Sequence, residues 1–535
     1  MDKKILEKYF PEIQDVRDYQ QNAITSILNG KNTLCLMPTG SGKSFIYQYS
    51  GIFLNKTTIV ISPLIALMKQ QSERLASKGL KCFSFLESNS SIKQYNEMKS
   101  LYNSEVNFIF ISPERAAFEG YLEFILKKMK DKIGLIVIDE AHCISQWGDS
   151  FRPAYKMIPI FLERIFLSDW PKILCLTATL NPKDQNEICV DFKIGNNIIK
   201  TQSLLRTNID LKFLTNINND EDKVKQIKEI INRFPHEKVL VYVYRKKGEF
   251  GTKELAEKFK AENIQCDYFD ADISDDHKSK VLLNFENGNT KLVFATNAFG
   301  MGIDIPDIRV IIHFHTPESV EQYYQEAGRS GRDGKDSYAF LFYSKKSSSI
   351  RKRMISESFL SQEKIMEAFL KISHRPRNTN IGCVNVWEEL NDLEKTALYY
   401  FSKVGVISII EKGVRFLNCF QQLSHDIDGN YQKYKTISAN MNVLLVKHKT
   451  NDTIEDIHKE FFTLFTEGKL KLIKAPNKVV FYNVNRDELS QEIIEEILNL
   501  QQEIKEYKIQ SYEKIVNAIE NNIAPINLIK DGLGL

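Results

Sequence analysis

At 535 residues the chain is too long for a single hydrophobic core, and three or more domains are expected. Hydrophobic residues make up 43% and charged residues 26%, and no apolar run approaches the roughly 18 residues that would cross a bilayer, which excludes the membrane-protein class. The 72 basic and 69 acidic residues leave a formal charge of +3, too small to announce a nucleic-acid binder without motifs.

The first stretch, MDKKILEKYFPEIQDV, is charged throughout and lacks the apolar core and small-residue cleavage site of a secretory signal, so a cytoplasmic protein is expected. From residue 32 to about 345, short β-branched runs (NTLCLM, TTIVIS, NFIFIS, GLIVIDE, KILCLTAT, then KVLVYVY, KLVFAT, VIIHF, AFLFY) alternate with segments of helical period. That alternation predicts α/β units with parallel sheets covered by helices. It is interrupted at LLRTNIDLKFL, which sets a first domain at 1–205 and a second at 206–350. After Tyr343 the polar, basic SKKSSSIRKRM ends the β-rich rhythm. Residues 351–425 read as helical. Within them 390–418 predicts a helix, a tight turn and two short strands around EKG, either a winged helix or an ordinary helix plus hairpin. Residues 426–535 read as mainly helical, with no role assigned. The eight cysteines form no CxxC pair and are expected to be reduced thiols.

MPTGSGKS (37–44) lies between the strand NTLCLM and the helix SFIYQYSGIFL, the context that a phosphate-binding loop requires. Thr39, Gly40, Ser41 and Gly42 would cradle phosphates, Lys43 would reach the β and γ phosphates, and Ser44 would ligate Mg²⁺. The loop opens on Met37 where the strict pattern has Gly. GLIVIDEAH ends a second strand in two carboxylates. Asp139 is assigned to Mg²⁺ and Glu140 to the attacking water, at the carboxyl edge of a parallel sheet where ligands bind. In QEAGRSGRDG (325–334), Arg329 and Arg332 lie three positions apart and would bring positive charge to the γ-phosphate from the second domain.

Together with SPLIALMKQQ, ISPER, DEAHCISQWG, LTATL, FATNAFGMGIDIPDIRVIIHF and QYYQEAGRSGRDG, these motifs resemble superfamily 2 helicases, and within them the RecQ family, over about residues 10–355. The resemblance implies two tandem RecA-like domains. It assigns adenine recognition to Arg17 and Gln20, and coupling of hydrolysis to movement to Thr177 and Thr179. Gln325 would face the nucleotide, and Asp304 would link the ATP cleft to the nucleic acid. Ser62, Pro63 and His142 would belong to the DNA-binding and coupling set. ISQWGDSFRPAY matches an aromatic-rich loop in which Trp147 and Phe151 would stack on bases and Arg152 would contact a base or phosphate.

Three departures stand out. Ile13 occupies a place usually aromatic, and Asp149 replaces a histidine in the aromatic-rich loop. After residue 345 only Cys383 and Cys419 remain, too few for the family's four-cysteine zinc module, so no zinc is expected. The reading is an ATP- and Mg²⁺-dependent DNA helicase moving 3′ to 5′ on single-stranded DNA, serving repair, recombination or genome defence. Its partners would be single-stranded and duplex DNA, and the C-terminal region offers a place for a protein partner. A DEAH-type RNA helicase, or an ATPase subunit without strand separation, is the alternative.

Overall fold

A computed structural model describes residues 2–533 apart from 39, 64, 86–90, 145–152, 179, 202–204, 301–302, 304, 375–378 and 424–428. Its first lobe is built on strands β1 (Thr33–Leu36), β2 (Thr57–Ile61), β3 (Cys82–Phe85), β4 (Phe108–Ile111), β5 (Ile133–Ile138), β6 (Lys172–Thr177) and β7 (Ile198–Lys200). They form one parallel sheet in the order β3-β4-β2-β5-β6-β1-β7. The second lobe repeats the plan with β8 (Ile209–Leu214), β9 (Lys238–Tyr242), β10 (Cys266–Phe269), β11 (Leu292–Ala295), β12 (Ile308–His313) and β13 (Ser337–Phe342). Their order is β10-β11-β9-β12-β13-β8, again all parallel.

The unbroken apolar strands follow from burial on both faces. In the first sheet Leu34, Leu36, Ile59 and Ile61 enter one core while Cys35 and Val60 enter the other. Val239, Val241 and Val310 are likewise separated from Leu240 and Ile311 in the second. The two tandem RecA-like units expected from the sequence are therefore present, with helices on both faces. No helix among the described residues is long and apolar enough to cross a membrane.

The C-terminal region departs from expectation in two places. Residues around EKG form no hairpin: β15 (Ile407–Val414) is one strand, interrupted only by a bulge between Ile409 and Glu411. Gly413 serves close approach here and not a turn. A Cβ on it would lie 2.3 Å from Nε2 of His458, the nitrogen that accepts from the Val414 N–H at 3.0 Å. The division at 425/426 fails as well. Strand β18 (Lys478–Val484) pairs antiparallel with both β14 (Ile381–Val384) and β15, so segments from either side of that division share one sheet. Such non-local pairing leaves no trace in local periodicity. The short strands β16 (Phe420–Gln422) and β17 (Leu470–Leu472) complete the module.

This module is joined to the first lobe through a shared core. The rings of Tyr121 and Phe462 lie 5.0 Å apart, and a Cβ on Gly120 would stand 1.9 Å from the Lys412 carbonyl oxygen. Two buried ionic networks cross the junction. Glu119 binds Arg115 at 2.8 Å and Lys478 at 3.1 Å, while Glu123 binds Lys412 at 2.8 Å and Arg164 at 2.7 Å. Helix Ile454–Thr466 buries its apolar side in this junction and exposes Glu455, Asp456 and Lys459, a poor face for a phosphate backbone.

The chain then forms a 30-residue helix, Gln491–Glu520, about 45 Å long at 1.5 Å per residue. Ile494 and Ile497 pack in the module, and Ile515, Ala518 and Ile519 pack on the second lobe. The C-terminal region thus touches both lobes.

Candidate active site

Parallel neighbours bring distant motifs to one sheet edge. β6 lies between β1 and β5, with Leu36 opposite Thr177 and Ile138 opposite Cys175. The loop after β1, the carboxylates after β5 and the threonine ending β6 therefore sit side by side.

In the loop, Gly40 and Gly42 adopt φ of +78° and +80°, the left-handed region that side chains disfavour. A Cβ on Gly42 would also lie 2.5 Å from Nε2 of Gln20. Gln20 donates from that nitrogen to the Ser41 carbonyl at 2.9 Å, and the Tyr19 hydroxyl donates to the same oxygen at 3.1 Å. The loop is thereby pinned from outside. Inside it, the Lys43 ammonium and the Ser41 hydroxyl are buried without a hydrogen-bond partner.

Across from the loop, Ser62 donates to the Asp139 carboxylate at 3.2 Å and Tyr155 donates to the Asp139 carbonyl at 3.0 Å. Burial first, and the neighbouring Glu140 carboxylate second, push Asp139 up to about 6. For Glu140 burial also acts upward, but Lys43, His142, Arg329 and Arg332 outweigh it and hold the group below its ordinary value. Glu140 has φ of +50°, a local strain at the residue assigned to water activation. Its Oε2 lies 3.3 Å from Nδ1 of His142, which stands 3.0 Å from the Thr177 hydroxyl. Burial, then Lys43 and Arg329, lower the His142 pKa against the pull of Glu140.

From the second lobe, Arg329 is buried with Nε unpartnered, and Arg332 donates to the Ile303 carbonyl at 3.1 Å. Both guanidinium groups act on Glu140 of the first lobe together with Lys43. The turn that carries them is held by Arg206, which donates to the Gly328 carbonyl at 2.8 Å and also to that of Gly331.

Two cavities flank these charges. One, of about 660 Å³, is lined by Arg17, Tyr19, Gly40, Thr201, Arg206 and Arg332. The other, of about 840 Å³, lies between the lobes and is lined by His142, Asn181, Gln325, Arg329, Tyr507 and Lys508 among others. Buried, unsatisfied Lys43 Nζ, Ser41 Oγ and Arg329 Nε next to two carboxylates are a donor set suited to a polyphosphate with a divalent cation, which Ser44 and Asp139 would hold. Among the described residues there is no group of three or more His, Cys, Asp and Glu side chains that could hold a metal ion, and Cys383 and Cys419 are free thiols.

Most of the sequence-derived set thus converges: Gln20, Gly40, Ser41, Gly42, Lys43, Ser62, Asp139, Glu140, His142, Thr177, Arg329 and Arg332. Arg17 lines the smaller cavity, bonding Tyr19 at 2.7 Å, whereas Gln325 lines the larger one. Pro63 is buried beside Ser62. Thr39, Trp147, Phe151, Arg152, Thr179 and Asp304 lie outside the described residues. Sequence reasoning missed Tyr19, Tyr155 and Arg206. The lone arginine in LLRTNIDL was the available signal for Arg206, whereas nothing in a linear pattern marks a tyrosine that holds a carbonyl oxygen.

Comparison with known proteins agrees with this geometry. The DEAD/DEAH box helicase family matches residues 17–188 and the helicase conserved C-terminal domain matches residues 222–334. An Acanthamoeba polyphaga mimivirus protein, provisionally named an ATP-dependent RNA helicase, is 36% identical over 66% of this chain and 63% of its own length. The ATP-dependent DNA helicase RecQ of Bacillus subtilis is 34% identical over 66% of this chain and 58% of its own. The same organism's "Probable ATP-dependent DNA helicase RecS" is 31% identical over 65% and 68%. The chain therefore spans about three fifths of the first two relatives. The solved DUF1998 helicase MrfA bound to DNA superposes with a TM-score of 0.54 at 16% identity, over 76% of this chain and 61% of that one, a likeness of fold. The motifs, the two RecA-like lobes and these relatives together establish that the chain belongs to the RecQ family of superfamily 2 helicases.

Proposed function

We propose that the protein is an ATP-dependent DNA helicase that hydrolyses ATP in the cleft between its lobes and moves 3′ to 5′ along single-stranded DNA, separating a duplex ahead of it. One observation carries the proposal: Lys43 Nζ of one lobe and Arg329 Nε of the other are both buried without a hydrogen-bond partner, and Arg329 lines one cavity with His142 of the opposite lobe. A triphosphate bridging them would make lobe closure depend on its own integrity.

In the reaction, Glu140 orients a water and accepts its proton while the water oxygen bonds to the γ-phosphorus. The bond from that phosphorus to the β–γ bridging oxygen breaks, and ADP and phosphate are the products. Ser44 and Asp139 would hold Mg²⁺, which would supply neutralisation of the phosphate charge. Lys43 and the two arginines stabilise the same charge in a cleft screened from water. His142 and Thr177 carry the state of Glu140 to the neighbouring strand end. With Ile13 in a place usually aromatic, the adenine would be gripped by Arg17 and Gln20, with Tyr19 beside them in the smaller cavity. Thr39, Thr179, Asp304 and the loop bearing Trp147, Phe151 and Arg152 keep the roles that family membership implies. Zinc plays no part in the proposal, and a cytoplasmic setting suits eight unpaired thiols.

Strand separation of a duplex bearing a 3′ tail, dependent on ATP and absent with a 5′ tail, tests the reading. A protein that hydrolyses ATP but separates no tailed duplex would be an ATPase subunit. An RNA helicase is the second reading, favoured by the name of the mimivirus relative. Turnover stimulated by single-stranded RNA and not by single-stranded DNA would decide for it.

A further inference from the structure

The helix that leads to the two arginines, Val320–Ala327, has two different faces. Gln322 and Gln325 line the larger inter-lobe cavity, whereas Val320, Tyr323 and Tyr324 are buried on the opposite side. Part of what buries them comes from the far end of the chain. Ile515, Ala518 and Ile519 of the long helix, with Leu528, Ile529 and Leu533 of the terminal helix Pro525–Leu533, form one core with Val320, Tyr323, Tyr324, Leu341 and Tyr343. The fit is tight: a Cβ on Gly532 would stand 2.6 Å from Cγ1 and 2.8 Å from Cβ of Val320, so a larger residue must displace the helix or be displaced by it.

From this core a hydrogen-bonded path runs to the site. The Tyr324 hydroxyl accepts from the Arg206 backbone N–H at 2.7 Å. The Arg206 guanidinium in turn donates to the carbonyls of Gly328 and Gly331, the residues on either side of the Arg329–Ser330 pair. Arg206 is also partly desolvated, and burial lowers its pKa below the ordinary arginine value.

We infer that the terminal helix, through Gly532 against Val320, is a positioning element for Arg329 and Arg332: it fixes the Val320–Ala327 helix from behind and, through Tyr324 and Arg206, the turn that presents both guanidinium groups to the other lobe. The inference rests on the proposed ATPase reading for its kinetic consequence but not for its structural one. A misplacement of catalytic groups by about 1 Å is enough to cost up to about a hundredfold in rate. The binding of ATP, which draws mainly on Arg17, Gln20 and Lys43 of the other lobe, should change less than turnover, although Arg206 and Arg332 also line the smaller cavity.

The test uses the full chain carrying Gly532→Leu, Ile529→Ala, and the pair Gly532→Leu with Val320→Ala, which gives back about half of the added volume. Two readouts are taken: steady-state ATP turnover, and backbone hydrogen exchange of amides 328–334 without nucleotide. The expected result for Gly532→Leu is a kcat about tenfold to a hundredfold lower with KM for ATP within about twofold, faster exchange in 328–334, and partial recovery of both in the pair. Ile529→Ala, which removes side-chain volume without adding any, should show a smaller change in the same direction and keeps the test open if the leucine variant fails to fold. Exchange in 328–334 that is unchanged in the folded variants overturns the inference whatever the turnover. A wild-type chain with no ATP turnover sinks the proposed function alone, because the exchange measurement still decides the positioning role.

Discussion

The imidazole of His142 stands 3.0 Å from the hydroxyl of Thr177, bridging the ends of strands β5 and β6. Oε2 of Glu140, the carboxylate proposed to activate water, lies 3.3 Å from the same ring nitrogen without a hydrogen bond to it, so His142 stands against both groups. Removing the hydroxyl with Thr177→Val keeps shape and forfeits one neutral hydrogen bond, worth about 1 kcal/mol. Turnover stimulated by single-stranded DNA should fall about fivefold or more, with little change in ATP affinity. Equal stimulated rates in mutant and wild type would remove Thr177 from the coupling path.

Lys43→Ala and Arg329→Ala should each cut ATP turnover, the lysine variant by about a hundredfold or more and the arginine variant by about a thousandfold, the scale on which charge stabilisation of phosphoryl transfer acts. Their binding should differ. Lys43→Ala weakens nucleotide binding as well, while Arg329→Ala leaves it close to wild type, measurable by titration with a fluorescent, non-hydrolysable ATP analogue. Arg329→Ala turning over at the wild-type rate would break the claim that the two lobes share one site.

The junction between the first lobe and the C-terminal module depends on buried charge. Burial pushes Glu123 up, yet Lys412, Arg164 and Lys127 outweigh it and hold the carboxyl at about 2. Lys412→Ala would leave Glu123 short of a partner inside the protein, a loss on the order of 3–5 kcal/mol. The exposed pair Arg74–Glu12 is the contrast: Arg74→Ala should change stability by about 1 kcal/mol or less. Thermal or urea unfolding of the two variants side by side checks the ranking.

Stability should also respond to pH through Asp184. Burial first, and the carboxylates of Glu321 and Glu187 next, raise it to about 7 despite the hydrogen bond from Asn181. The folded-state value lies above that of the unfolded chain, near 3.9. The contribution is therefore complete below about pH 4 and is lost as the pH rises to 7. Asp184→Asn, which can keep the Asn181 contact at 2.7 Å, should raise the unfolding midpoint at pH 8 and flatten the decline between pH 5 and 8. The gain should be about 1–3 kcal/mol at pH 8. A decline as steep in Asp184→Asn as in wild type would count against this account.

What the sequence disclosed and what it hid differ in kind. Parallel strands buried on both faces announce themselves as continuous apolar runs, and a glycine loop between a strand and a helix identifies Lys43 without knowledge of neighbours. Arg329 and Arg332 were legible as a motif, but their approach to Glu140 depends on how two lobes dock, which no local pattern encodes. The C-terminal module was opaque for the same reason. Its sheet pairs residues 407–414 with 478–484 across some 60 positions of mixed helix, and Gly413, which reads locally as a turn, is demanded by the ring of His458. Tyr19 and Arg206 escaped because holding a carbonyl oxygen requires only a donor in the right place.

The shared core between the first lobe and the module has a practical corollary for anyone who would dissect the chain. Cutting after residue 350 would strip the cover from Tyr121, Phe124 and the junction carboxylates Glu119 and Glu123, presenting water with a broad greasy surface studded with charges that have lost their counter-ions. Such a fragment is a candidate for inclusion bodies rather than a minimal motor. Failure to purify it in active form would speak of colloidal behaviour, and point substitutions in the intact chain are the sounder instrument.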